Sequence, residues 1–294
     1  MSVSAQTARD AHVASRSARP VWWLVLKQEM VELWVGGRVL NLLVLFGVLM
    51  SITTYLLATN NEIGLIPPDQ TVVVGLTAAI TFGLFIGLVI AAESITGERE
   101  RGTLEPLLLT PASHRHVVLG KFLAALSVWP AAFVLAVPYV ATLSRGEAVL
   151  WPALFWGGLV GTVLSITFVG LGMVVSIWSE STRVSLFVCL LVYAVSLVPS
   201  QLPSQLQESA AGTWIAVLDP VAAAGRLLTR TVQQGSPIGQ VWPFIVAPVA
   251  VTVVVVGLLF WVAAPRLGLE AGRVRGRPRP VGLVAPVGSS KATP

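Results

Sequence analysis

Residues 71–92 read TVVVGLTAAITFGLFIGLVIAA, without a single charge or proline. About 20 such residues, rising 1.5 Å each, make a helix that spans roughly 30 Å of hydrocarbon. A closed β-barrel would give short alternating segments instead, and this run is continuous. Working outward, comparable runs recur at 39–58, 121–143, 153–178, 184–199 and 243–264. The third carries Pro130 and Pro138, which should kink it. The fourth is rich in glycine (Gly157, Gly158, Gly161, Gly170, Gly172), so it should pack against other helices, not lipid. The expected fold is an all-α integral membrane domain of six transmembrane helices over residues 38–265.

Composition agrees. Only 11% of the 294 residues are charged and 55% are hydrophobic, with mean hydropathy +0.80. A soluble domain carries about 25% charged residues to wet its surface. Residues 1–20 hold no apolar core and read as a disordered cytoplasmic tail with no cleavable signal. Residues 21–37 predict an interfacial amphipathic helix. Trp22, Trp23, Leu26, Met30, Leu33 and Trp34 share one arc, with Lys27, Gln28, Glu29 and Glu32 opposite. The single cysteine, Cys189, lies in an apolar run and offers neither a disulfide nor a metal-type spacing.

Lys and Arg fall unevenly between the spans. Sixteen lie on the side of the N-terminal segment, loop 2–3 (93–121), loop 4–5 and the tail 266–294. Three (Arg145, Arg226, Arg230) lie on the other side, which includes the long loop 200–242. By the positive-inside rule both termini are cytoplasmic and the protein is expected in the plasma (inner) membrane. The same distribution explains the basic pI through contact with membrane lipids, without nucleic acid; Arg273, Arg275, Arg277 and Arg279 read as a headgroup contact.

The spans carry no ionisable group near their middles, unlike ion-coupled carriers. His12, His114 and His116 all lie outside the spans, there is no HExxH motif, and no catalytic residue or metal site is nominated. A phosphate loop is also missing, since Phe122 follows Gly120-Lys121. Any ATP and Mg used would be bound by a partner subunit, and no cofactor is expected on this chain.

Loop 93–121, ESITGERERGTLEPLLLTPASHRHVVLGK, is the informative segment. Glu98, Arg99, Glu100 and Arg101 alternate in charge where the second span ends, and Gly102 breaks the helix. Thr103 is a good cap for a further short helix with Glu105 and Pro106 in its first turn. Leu104, Leu107 and Leu108 then form an apolar knob, and Thr110-Pro111 ends the turn. Ser113 caps the helix that leads into the third span. Exposed leucines in a charged loop suit a groove on a partner protein.

Gly97 to Glu105, with Leu107-Leu108, Thr110-Pro111 and Gly120-Lys121, resembles the signature of ABC-2 type transporter permeases. The interfacial helix, the six spans with both ends inside, and the long loop five–six match as well. Leu218-Asp219-Pro220 followed by Arg226 is similar to the family's N-P-L…E-A-x-R stretch, with Asp219 where Asn is commoner and Gly225 where Ala is usual. The resemblance implies a coupling helix seated on an ATPase subunit, and short external helices dipping back into the membrane, with Asp219, Pro220 and Arg226 at an external gate. It further implies two cytoplasmic ABC ATPase subunits, and a second permease chain (homodimer or paralogue). Export of a hydrophobic or amphipathic substrate is the expected activity. The rivals are an ATP-independent channel or secondary carrier, and a structural membrane anchor.

Overall fold

A computed structural model of the chain describes residues 21–59, 67–103, 113–201, 219–235 and 238–266. Among them the regular elements are all helical: α1 (Val21–Val35), α2 (Arg38–Thr59), α3 (Pro68–Glu93), α4 (Thr96–Arg101), α5 (His114–Leu126), α6 (Val128–Leu143), α7 (Leu150–Trp178), α8 (Thr182–Leu197), α9 (Pro220–Leu228) and α10 (Ile238–Gly257). Six stretches are long and apolar enough to cross a membrane: α2, α3 with α4, α5 with α6, α7, Thr182–Ser200 and Val241–Arg266. They overlap the six expected spans, with the second running on to Arg101 through α4 and the third starting earlier at His114. The tails 1–20 and 267–294 and most of the long loop 200–242 lie outside the described residues.

Span α7 sits at the centre of the bundle against α3. In its apolar stretch 72% of residues are buried, against 11% in α2. The glycine-rich sequence is the reason. A Cβ built on Gly161 would overlap the Trp129 indole of α6, and one on Gly157 would come within 2.6 Å of Leu76 on α3. Glycine lets the backbones close to contact, which is how apolar helices gain packing when lipid offers no hydrophobic drive. Trp129 is fixed by donating from Nε1 to Thr162 Oγ1 at 3.1 Å. The Thr167 and Thr252 hydroxyls meet at 2.7 Å and tie α7 to α10. By contrast α2, α8 and α10 carry outward Val44, Val48, Ile52, Phe187, Leu191, Val195 and Val253, an apolar perimeter suited to acyl chains.

The third span is two helices stacked end to end. Pro130 has no N–H to offer the carbonyl of Leu126 and its ring crowds that carbonyl, so the ladder stops at Ser127. Ser127 Oγ donates to Ala124 O at 2.7 Å and accepts from Trp34 Nε1 at 3.3 Å. Pro138 is different: it stays within α6, which continues to Leu143.

Gly161→Leu should therefore force α6 off α7 and destabilise the bundle by roughly 1–3 kcal/mol, the usual scale of overpacking. Thermal unfolding of the purified protein in neutral detergent reads the loss. Gly161→Leu combined with Trp129→Ala should recover part of it, and no recovery would argue against this contact.

Candidate functional site

Where α3 ends, the chain is pinned before it turns. The amides of Ile95 and Thr96 both donate to Ser176 Oγ on α7 at 3.1 Å, and Ser185 Oγ on α8 donates to Ala92 O at 2.8 Å. From there α4 runs for six residues, TGERER. Successive residues on a helix point 100° apart, so four consecutive charges leave in four directions. Each finds a different neighbour.

Glu98 points to α5. Its Oε1 accepts from Lys121 Nζ at 2.7 Å, and the same ammonium donates to Glu29 Oε1 of α1 at 2.5 Å. The Lys121 side chain is only 2% exposed, so its charge is neutralised almost out of water. Burial pushes the Glu29 carboxyl above the usual carboxylate range, although the adjacent Lys121 pulls it back down. Arg99 turns to α7, donating to the carbonyls of Ser179 and, at 3.4 Å, Ile177, at the end where orphan carbonyls carry negative dipole. Glu100 Oε1 accepts from the Thr182 amide at 2.7 Å and so caps the first turn of α8. Arg101 pairs at 3.3 Å with Glu32 of α1, both half exposed, a contact worth about 0–1 kcal/mol. A further ion pair joins Arg38 to Glu93.

The best-enclosed pair is Glu98–Lys121, and all four residues bind other helices. Glu29 and Glu32, expected on the solvated side of α1, are part of the same network. What reveals them in the sequence is only their charge, opposite to Lys121 and Arg101 on the same membrane side.

Gly102 closes α4 in the left-handed conformation at φ 71°. Its amide bonds to Arg99 O at 3.2 Å and the Thr103 amide to Glu98 O at 3.0 Å, the paired bonds of a Schellman ending. Thr103 thus completes α4; Leu104, Glu105, Leu107, Leu108, Thr110 and Pro111 lie outside the described residues. Ser113 caps α5 as expected, accepting from the His116 amide. Gly120 explains its place beside Lys121: a Cβ there would come within 2.8 Å of Val25 Cγ1 and 3.1 Å of Leu26 N. Without one, α5 lies flat on α1 and Lys121 reaches Glu29.

Asp219, Pro220 and Arg226 belong to the opposite end of the bundle. Asp219 accepts from the amides of Val221 at 3.2 Å and Ala222 at 3.3 Å, and so caps α9, whose first turn Pro220 fits by lacking an amide hydrogen. Burial raises the Asp219 carboxyl while these two bonds lower it. Val221, Ala223, Ala224, Leu227 and Leu228 are buried, and α9 packs against α7, α8 and α10. Arg226 faces away from that packing, into a cavity.

A family model described as ABC-2 family transporter protein matches residues 23–263, covering most of α1, the first five spans and nearly all of the sixth. Over 106 residues the chain is 33% identical to the probable ABC transporter permease protein NosY of Pseudomonas aeruginosa; the match covers 35% of this chain and 38% of that relative. The matched region includes both the α4 network and the α9 segment. The chain is a multi-pass membrane protein that belongs to the ABC-2 family of transporter proteins.

Proposed function

We propose that the chain is the transmembrane permease subunit of an ATP-binding cassette exporter, and that loop 93–121 couples it to separate ATPase subunits. The observation that carries this is α4: one short helix whose four charges engage α1, α5, α7 and α8. A push at its far end reaches four helices at once. Leu104, Leu107 and Leu108 supply the docking contact, each contributing roughly 1.5–3 kcal/mol if fully buried in a partner groove. Two ATPase subunits bind ATP and Mg, a second permease chain completes the pathway, and membrane lipids surround the perimeter. Both termini and α4 face the cytoplasm of the plasma (inner) membrane. The cargo is hydrophobic or amphipathic.

The uncharged span interiors speak against an ion-coupled carrier. A passive channel or a structural anchor would leave the α4 network without a task.

Leu107→Asp with Leu108→Asp should leave the protein in the membrane but abolish co-purification of the ATPase; undiminished recovery of the partner would overturn the docking assignment. Lys121→Met strands two carboxylates, Glu29 and Glu98, and should cost about 3–5 kcal/mol. Adding Glu29→Gln and Glu98→Gln should restore most of that stability in detergent. Substrate-stimulated ATP hydrolysis should stay low in this triple variant although the ATPase still co-purifies. Full stimulation would mean that the latch plays no part in coupling.

A further inference from the structure

A small cavity of about 40 Å³ lies where α1, α3, α4 and α5 meet. Among the described residues, the charged side chains lining it are Glu29, Glu32, Glu93, Glu98, Arg38, Arg101 and Lys121. Arg38 is paired with Glu93, and Arg101 with Glu32. That leaves one ammonium, Lys121, to balance both Glu29 and Glu98, each of them largely buried. Fully ionised, this triad holds a net negative charge where little water reaches. Such a place favours uptake of a proton.

Glu98 points the same way. Its Oε1 accepts from Lys121, but Oε2 is buried with no hydrogen-bond partner among the described residues. A buried carboxylate oxygen without a donor carries a desolvation penalty that a protonated neighbour would remove. Glu29 is that neighbour, because it accepts from the same ammonium. The cavity also has room for one water to relay the bond. Burial raises the Glu29 carboxyl, Lys121 lowers it, and the charges of Glu98 and Glu32 raise it again. The other charges on these helices stand apart. Lys27 is exposed, Arg99 and Glu100 turn to α7 and α8, and His114, Arg115 and His116 lie in the first turn of α5, outside the cavity lining.

We infer that Glu29, Lys121 and Glu98 form a proton-binding site, in which Glu29 carries the proton and donates toward Oε2 of Glu98. With the proton bound the triad is neutral, and α1, α4 and α5 are held together. Without it two carboxylates repel each other across one ammonium, and the joint slackens. The inference deepens the coupling reading by making the α4 joint depend on pH, and it rests on that reading only for this consequence. The sign follows from linkage. Between the ordinary carboxylate value of 4.5 and the raised value of Glu29, the folded chain keeps a proton that the unfolded chain has released. The stabilisation is therefore present on the acid side and lost as pH rises through the raised value.

The test is a pH titration of the purified chain in dodecyl maltoside, read by infrared difference spectroscopy in the C=O stretch that distinguishes a protonated carboxyl from a carboxylate. Labelling with 13C-glutamate separates glutamate from Asp219, which burial also raises. A labelled band that persists above the usual carboxylate range, is lost in Glu29→Gln and titrates at lower pH in Glu98→Gln supports the site. Absence of such a band, its survival in Glu29→Gln, or an unmoved midpoint in Glu98→Gln overturns it. If Glu29→Gln does not fold, Glu29→Asp carries the test: the band should no longer follow the glutamate label, and one that still follows it overturns the assignment. Thermal unfolding reads the joint itself. The stability of the wild type relative to Glu29→Gln should fall as pH rises through the infrared midpoint, and a level difference overturns the claim that the joint feels the proton. Neither measurement needs the ATPase, so their failure leaves the coupling proposal standing, and a failure of co-purification leaves this site standing.

Discussion

One buried ammonium organises the base of this protein. Lys121 is withdrawn from water between Glu29 and Glu98, carboxylates from two helices far apart in sequence. An ammonium so enclosed is tolerable only while both partners stay in place, since stranding any member leaves an uncompensated charge. The requirement fixes three helices relative to one another: α1, α4 at the turn, and α5 entering the bundle. The other three charges of α4 extend the same constraint to α7 and α8 and back to α1 through Arg101. Specific directions, more than strong individual bonds, give the segment its rigidity.

The spans were legible because crossing hydrocarbon is a constraint on every residue at once. Length and the absence of charge locate α2, α3, α7, α8 and α10 within a few positions, and Pro130 announces the interruption at Ser127. The glycines of α7 disclosed that it would be interior, because only a helix meeting other backbones has use for so many residues without side chains. Charge pairing was far less legible. The spacing of Glu98, Arg99, Glu100 and Arg101 says that they point in different directions but not what they meet. Glu29 lies 92 residues from Lys121, and no local pattern joins them. Helix α1 could be recognised from its tryptophans, while the turn of Glu29 toward the protein depends on the close approach at Gly120.

The two ends of the bundle are built on different principles. Below, opposite charges satisfy one another and the result is a tied joint. Above, Arg226 and Arg230 line a cavity, and the Arg230 guanidinium rests on the Phe244 ring. Between them lie the tight α3–α7 contact and the Trp129 ring, which connect the two ends chiefly through packed side chains. Motion at one end must pass through close-packed matter that yields by sliding helices, because it holds few spaces to collapse into.

The fit of Trp129 over Gly161 also bears on how such a chain can diverge. An indole occupying the place of a missing side chain leaves neither residue free to drift by itself: a methyl gained on one helix demands atoms lost on the other. Substitutions at these two positions should therefore travel as couples through descendants of this sequence, while the lipid-facing valines of α10 exchange freely with other aliphatic residues.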